Sequence, residues 1–455
     1  MTWKLPWREY RRLLHLALPV MAGFLAFHVL GIVDVIMVGR LGREALAAVG
    51  LANTLFFFLI SPLEGFLGAA LIVLPALVAQ KATTKLRSAV ETLSLVSFFL
   101  GGVVFVSFPF LSWYLGTMSS DETVLRLARE YLLIRVAGGF LWTLSLLWYR
   151  VFLALEKNTL VALFSYIVVA INIVGNWLLI FGVGPFPAMG VAGAALATLF
   201  AQLVNVVLMV SFGWKSLVSR EKGSVFSWAF LKEFTLIGWP MGMTYLIEIV
   251  AWTLFVTMIA KLGTMAVATH EIALKIKDIS LLLGIAIANV ITQQVSFFIG
   301  QKKPEEACRV VKRGAEINAF VMGVIGIGYW FFPEVLVGLV SQDGALVESS
   351  TRLLRFMALY QIADALFIAY RAGLEGLGKT ALIRNVSLFL DYLLWLPLAW
   401  VGTFLFGWGV IGAWVGLTAT VVVLAVVFFR VFFREVWKAK IPATPVVSMA
   451  EEELR

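Results

Sequence analysis

Unbroken apolar runs, each long enough to cross a bilayer, constrain this chain more than any motif in it. The stretch GVIGAWVGLTATVVVLAVVFFR, residues 409–430, meets no charged side chain before Arg430. A hydrocarbon core about 30 Å thick takes about 20 such residues in α-helix. Inside lipid the backbone must satisfy its own hydrogen bonds, so only helices and closed barrels span. Barrel strands alternate apolar and polar residues, and these runs do not. The expected class is an all-α integral membrane protein. Composition agrees: 61% of residues are hydrophobic and 14% charged, against about a quarter charged in soluble domains. The runs fall at 14–39, 46–79, 89–114, 124–149, 160–182, 190–213, 235–260, 265–299, 316–340, 351–370, 386–406 and 409–433, twelve in all. The second and eighth are longer than a crossing needs, so each is expected to tilt or protrude.

The loops set an orientation. Lys4, Arg8, Arg11 and Arg12 precede the first span. After the even-numbered spans come Lys81, Lys85 and Arg87; Arg150 and Lys157; Lys215, Arg220, Lys222 and Lys232; Lys302, Lys303, Arg309, Lys312 and Arg313; Arg371, Lys379 and Arg384; and Arg430, Arg434, Lys438 and Lys440. The opposite loops hold Arg40, Arg43 and Lys261 as clear cations, with Asp121, Glu122, Asp343 and Glu348. The positive-inside rule then puts both termini in the cytoplasm. The net charge of +9 thus reads as topology, with no nucleic-acid partner. The opening MTWKLPWREYRRLLHLALP imitates a signal peptide, but no small-residue cleavage site follows. It reads as an amphipathic lead-in to the first span. One cysteine, Cys308, precludes an internal disulfide, and three histidines are too few for a His-rich metal site. There is no Walker-type loop for ATP and no Ser-His-Asp set, so neither ATP use nor an enzyme is expected, and no cofactor.

The chain repeats itself at a shift of about 221 positions. Pro19 falls on Pro240, MVGRLGREALAAVGLA on MIAKLGTMAVATHEIA, Gln80-Lys81 on Gln301-Lys302, Tyr149-Arg150 on Tyr370-Arg371 and Thr159 on Thr380. MGVAGA (189–194) meets WGVIGA (408–413) after a short slip assigned to a loop. Six spans per half imply repeats of one orientation, related by an axis along the membrane normal, with a central cavity between them. The expected organisation is a bundle at 1–214, a cytoplasmic connection at 215–234, a bundle at 235–440 and a cytoplasmic tail at 441–455.

Function is expected where one half departs from the other. Asp34 falls on Phe255, Glu248 on Phe27 and Asp364 on Thr143, so the shared scaffold requires none of these acids. Carboxylates at membrane depth are costly and usually functional. Tyr245 and Trp252 lie one turn from Glu248, and Tyr360 and Gln361 one turn before Asp364. An acid flanked by aromatics suits an organic cation, and also Na⁺ or H⁺. The bland alternative is a protonated acid hydrogen-bonded between helices. Asn172 and Asn176 form an i,i+4 polar pair that serves either as a site or as interhelical glue. In the eighth span, His270, Glu271, Lys275, Lys277 and Asp278 form a charged cluster. It reads as self-neutralised in a wet vestibule, Glu271 with Lys275 and Lys275 with Asp278, or as lysines that contact an anionic substrate or tune Asp364. Glu64 and Asp391 are further intramembrane acids of secondary rank.

VDVIMVGRLGREALAAVGLA, and NIVGNWLLIFG followed by MGVAGAALAT, resemble the first-span and fifth-to-sixth-span segments of the multidrug and toxin extrusion (MATE) family. The resemblance extends over nearly the whole chain. Asp34, Glu248 and the pair Tyr360 and Asp364 resemble the NorM-type branch, and Asn176 stands where the DinF-type branch has an acid. The resemblance implies export of organic cations and amphipathic compounds from the cytoplasmic (inner) membrane in exchange for Na⁺ or H⁺. Asp34 would be a switch, and Glu248 and Asp364 would hold the coupling cation, with Na⁺ as a candidate metal. A monomer is the expected working unit. The rival is a flippase for a lipid-linked or anionic amphiphile, which calls for a cationic cavity.

Overall fold

The computed structural model describes residues 7–217 and 226–438. Lys4, Arg220, Lys222, Lys440 and the 441–455 tail lie outside the described residues. Ten helices are long and apolar enough to span, and two bent helix pairs bring the number to twelve when each pair is one span. In chain order these are α1 (Trp7–Gly39), α2 (Arg43–Ala79), α3 (Thr83–Val106), the bent α4 (Glu122–Ala137 and Gly139–Ala154), α5 (Asn158–Phe181) and α6 (Gly190–Trp214). The second half holds α7 (Trp228–Ala260), α8 (Thr264–Gly300), α9 (Pro304–Phe331), the bent α10 (Gly344–Leu359 and Gln361–Gly376), α11 (Thr380–Leu405) and α12 (Gly409–Val436). The second and eighth spans are each 37 residues long, which at 1.5 Å per residue is about 55 Å, well beyond the hydrocarbon core.

Two compact units form. One holds Ala22–Gly242; the other holds the described residues up to Met21 and those from Met243 onward. The 1–214 and 235–440 boundaries expected from the sequence therefore do not coincide with these units. The difference lies in α1 and α7, which each belong to both. Pro19 and Pro240 stand just before the points where the two helices pass from one unit to the other. Proline lacks the N–H that would bond back one turn, which loosens a helix there.

Within the Ala22–Gly242 unit, Ala48, Ala52, Phe56 and Ile60 recur every four residues along α2 and form one stripe. They share a core with Ala128, Leu132 and Val136 of α4 and Ala195 of α6. In the other unit the corresponding core joins Phe255 of α7, Leu353 and Met357 of α10, Trp395 of α11 and Trp414 of α12. Small residues let backbones approach, as membrane bundles require. A Cβ added at Gly412 of α12 would lie 2.3 Å from the Gly402 carbonyl oxygen of α11. Helix α11 itself carries two π-helical turns, Asp391–Trp395 and Val401–Leu405, on either side of the segment holding Pro397. Proline and π-turns are recognised causes of local helix distortion.

Backbone details establish the repeat and refine its register. Gly42 and Gly263 share a positive φ (118° and 99°), as do Lys81 and Lys302 (56° and 59°). These pairs keep the register read from sequence. The bent spans do not. Asp121 caps α4 by accepting from Thr123 N at 2.8 Å and Val124 N at 3.1 Å. Asp343 caps α10 by accepting from Ala345 N at 3.0 Å and Leu346 N at 3.1 Å. The bends follow at Gly138 (49°) and Tyr360 (51°). Caps and bends all match one residue later than the sequence register. The slip therefore sits before Asp121, between the third and fourth spans, and not only in the later loop. Asp364 is thereby equivalent to Trp142 rather than Thr143, and Thr380 to Asn158 rather than Thr159. Arg371 is equivalent to Tyr149, so Arg150 and Arg371 are not strict counterparts.

Candidate functional site

The Ala22–Gly242 unit contains a chain of polar side chains that starts at Asp34. Asn176 Nδ2 donates to Asp34 Oδ1 at 2.5 Å and to Asn172 Oδ1 at 2.8 Å. Asn172 Nδ2 donates to Thr198 Oγ1 at 3.2 Å, and Thr198 Oγ1 donates to the Ala194 carbonyl. Three helices, α1, α5 and α6, are joined by this chain. Asn172 and Asn176 are buried and Asp34 is half-buried. The i,i+4 spacing puts both amides on one face of α5, and that face meets the acid. The pair thus ties α5 to α1 and α6, and one of its bonds is to the candidate acid.

Arg135 of α4 completes the surroundings of Asp34 as an electrostatic neighbour. Its guanidinium lies 4.5 Å from the Phe56 ring centroid and 5.6 Å from that of Trp142. Nearby on the same helix, Tyr131 Oη donates to Asn53 Oδ1 at 3.2 Å. Sequence reasoning missed Arg135. Its signal was available as a cation on the fourth span one turn before the bend.

In the other unit, Glu248 and Asp364 form two different ion pairs. Each carboxylate has a protein cation of its own. Arg371 of α10 grips Glu248 of α7 with two hydrogen bonds, Nη1 to Oε1 at 2.6 Å and Nη2 to Oε2 at 3.4 Å. Its Nε donates to Glu375 Oε1 at 3.1 Å. The guanidinium thus faces two carboxylates, with its shortest bond to Glu248. Arg371 was expected in a cytoplasmic loop. It lies half-buried well inside the second limb of α10, and Arg150 is buried near the end of α4, an electrostatic neighbour of the half-buried Glu64. Both arginines sit where an apolar window ends but the helix continues. Asp391 opens the first π-turn of α11, buried, and neighbours the Glu248–Arg371 pair electrostatically. Tyr392 beside it donates to the Ile247 carbonyl at 3.2 Å, which holds α11 to α7.

Asp364 pairs with Lys277 of α8, Nζ to Oδ2 at 3.4 Å, and both side chains are buried. Lys277 Nζ also lies 5.8 Å from the centroid of Tyr360, the residue at the bend. The cluster of α8 is therefore divided. Lys277 and His270 are buried, Glu271 and Lys275 are exposed, and Asp278 is half-buried. It is Lys277, not Lys275, that turns toward Asp364. A helix rotates about 200° over two residues, which places the two lysines on opposite faces.

The aromatic neighbours have structural employment. Trp252 packs within a ring cluster with Phe255, His270, Trp395 and Trp414, at centroid separations of 5.4–6.3 Å. Trp414 Nε1 donates to His270 Nδ1 at 3.2 Å, and Tyr360 lies 6.2 Å from Trp414. Tyr245 neighbours Arg371 electrostatically rather than standing as a free cation contact. Gln361 is buried, and its amide donates to the Met357 carbonyl at 3.2 Å. Among the described residues no three His, Cys, Asp or Glu side chains gather as a metal site. Glu248 and Asp364, the acids expected to hold the coupling cation, are each seen in an ion pair, with Arg371 and Lys277 respectively.

The known proteins that resemble this chain agree with the fold. Relatives named "Probable multidrug resistance protein NorM" match over nearly full length. The Photorhabdus laumondii protein is 26% identical, covering 93% of this chain and 95% of the relative. The Thermotoga maritima protein is 24% identical, covering 94% and 93%. A solved structure described as "Outward-facing conformation of a multidrug resistance MATE family transporter of the MOP superfamily" superposes with a TM-score of 0.87. It is 19% identical and covers 95% of this chain and 97% of that one. A transporter of the MOP superfamily from Pyrococcus furiosus, described as having reverse polarity of its binding pocket, superposes with a TM-score of 0.86 at 19% identity and the same coverage. The family model MatE matches residues 19–178 and again 240–401, one stretch in each half of the repeat. On that match, which takes in most of the sequence, the chain belongs to the MatE family.

Proposed function

We propose that the chain is a secondary multidrug efflux transporter of the cytoplasmic membrane, with both termini in the cytoplasm. It exports organic cations and amphipathic compounds by alternating access, in exchange for an inward-moving cation, Na⁺ or H⁺. It works as a monomer, without ATP and without enzymatic chemistry. The observation that carries the reading is the contact of Asp34 with Asn176. An ionised carboxylate accepts from the amide; a protonated one offers a donor of its own. Asp34 can therefore switch the packing of α1 against α5 and α6. The NorM name of the relatives supports the substrate class. Ion and substrate need only disfavour each other's binding for exchange to follow, because coupling is reciprocal. The flippase alternative calls for unneutralised cations inside the bundles, whereas Lys277 and Arg371 each rest on a carboxylate.

The test is efflux of a fluorescent organic cation from proteoliposomes, with pH and Na⁺ gradients imposed separately. Efflux driven by one gradient and lost in Asp34→Asn, with the variant folded by thermal melt, is the expected result. Gradient-driven efflux that survives Asp34→Asn sinks the switch. No efflux under either gradient sinks the antiport reading.

A further inference from the structure

We propose that the Lys277 ammonium fills the place of a coupling metal cation at Asp364, so that the C-terminal bundle does not bind Na⁺. This deepens the exchange reading above and rests on it for its meaning, though its test does not.

The surroundings of Asp364 have the chemistry of a hard-cation site. Tyr360, Gln361 and Asp364 occupy one face at the start of the second limb of α10, one turn apart. All three are buried; Gln361 Oε1 has no hydrogen-bond partner, and Tyr360 and Asp364 Oδ2 have the Lys277 ammonium as their charged neighbour. Buried oxygens without donors are expensive; a cation beside them removes the cost. Small hard ions take oxygen ligands of this kind. Yet the cation present is on the protein. Lys277 reaches Asp364 at 3.4 Å and the face of Tyr360 at 5.8 Å. Its stem is held where it leaves α8: Ser280 Oγ donates to the Lys277 carbonyl at 2.8 Å, and Tyr329 Oη of α9 donates to the Ile276 carbonyl at 2.8 Å. The other charge acting on Lys277 from α8 is Asp278.

One carboxylate neutralises one unit charge. A Na⁺ ion at this carboxylate would stand about 4 Å from the ammonium, and repulsion between like charges at that distance weakens binding by roughly a thousandfold at an effective dielectric constant of about 20. A tethered cation also never crosses the membrane, so it draws no energy from a gradient. Of Asp34, Glu248 and Asp364, the acid shown bonded to a neutral donor is Asp34, with Asn176.

The test is equilibrium binding of radioactive Na⁺ to the purified full-length protein. Wild type, Lys277→Met, Asp364→Asn and the double variant Lys277→Met/Asp364→Asn are compared, with Lys277→Gln as a second substitution if the methionine variant does not fold. Wild type should bind no more Na⁺ than Asp364→Asn. Lys277→Met or Lys277→Gln should gain at least about tenfold in Na⁺ affinity, and the double variant should lose that gain. Na⁺ binding to wild type that depends on Asp364 overturns the proposal. So does a folded Lys277 variant that gains no Na⁺ site. Because the readout is binding, it decides the matter even for a protein that fails to transport drugs, and the failure of the efflux reading is seen separately in the proteoliposome assay.

Discussion

Removing the Arg371 guanidinium should cost about as much stability as removing it together with the Glu248 charge. In Arg371→Met, Glu248 loses hydrogen bonds of 2.6 and 3.4 Å and Glu375 loses one of 3.1 Å. The side chains are 16% (Arg371), 33% (Glu248) and 19% (Glu375) exposed, so the pair lies between the two limits known for ion pairs. An exposed pair is worth about 0–1 kcal/mol, and breaking a buried one costs about 3–5 kcal/mol. The 3.4 Å contact is weak, so one strong charge-assisted bond to Glu248 dominates, at about 1.5–3 kcal/mol. With the smaller loss at Glu375, Arg371→Met should destabilise by about 3 kcal/mol. Glu248→Gln alone should cost about 1–2 kcal/mol, since a neutral amide still accepts from the guanidinium. The double variant Arg371→Met/Glu248→Gln should fall short of the summed cost by about 1–2 kcal/mol, the signature of coupled residues. Denaturant unfolding of the four proteins in detergent, followed by tryptophan fluorescence, measures the cycle. Costs that add within about 0.5 kcal/mol would mean that the pair contributes nothing beyond its separate parts.

Three further outcomes follow from local geometry. Asn176→Ala removes the donor shared by Asp34 and Asn172 and should cost about 1–2 kcal/mol, read from the same unfolding curves. Gly412→Ala forces a Cβ against the Gly402 carbonyl at 2.3 Å and should destabilise by about 1–3 kcal/mol, seen as a lower melting temperature. Lys81→Gly and Lys302→Gly relieve a left-handed backbone at φ 56° and 59°, and each should stabilise by roughly 1 kcal/mol in the same melts.

The spans were readable because lipid leaves the backbone no alternative, and unbroken apolar length is a sequence property. The same window misled at Arg371. Hydropathy falls at a charged residue, but α10 runs on to Gly376 because Glu248 and Glu375 meet the guanidinium there. Nothing local to residue 371 announces a partner on α7, more than a hundred positions earlier. Asp34 and Asn176 were likewise legible as polar residues at depth but not as partners, since their contact needs the bundle. Lys277 shows the opposite case. Its helical phase already set it apart from Lys275, and that phase is what the structure uses. The repeat was legible through identities such as Gly42 with Gly263, but its slip lay in a region without identities. The matched caps at Asp121 and Asp343, with the matched bends, reveal that Asp364 is the repeat counterpart of Trp142.

The misplaced arginines bear on orientation. Arg150 and Arg371 leave the cytoplasmic tally, Arg150 being buried and Arg371 half-buried within helices. The opposite side gains Arg126 and Arg129 at the start of α4, and Arg352 and Arg355 at the start of α10. Arg352 is joined to Glu348, and Arg355 to Glu334 at 2.5 Å. Acid partners do little to cancel a cation's topological effect, because the rule counts Lys and Arg rather than net charge. The asymmetry narrows but keeps its sign. Arg8, Arg11, Arg12, Lys81, Lys85, Arg87, Lys157, Lys215, Lys232, Lys302, Lys303, Arg309, Lys312, Arg313, Lys379, Arg384, Arg430 and Arg434 still belong to the loops and helix ends that the rule assigns to the cytoplasm. Arg40, Arg43, Lys261 and the four arginines above belong to the opposite set. A green fluorescent protein fused after Arg455 should therefore fluoresce, and alkaline phosphatase at the same point should stay inactive. Replacing Lys81, Lys85 and Arg87 together by glutamine should leave that pattern intact, because the remaining loops carry the same bias. An active phosphatase on the unaltered chain would reverse the orientation and put Asp34 nearer the cytoplasmic end of α1 than its place in the sequence implies.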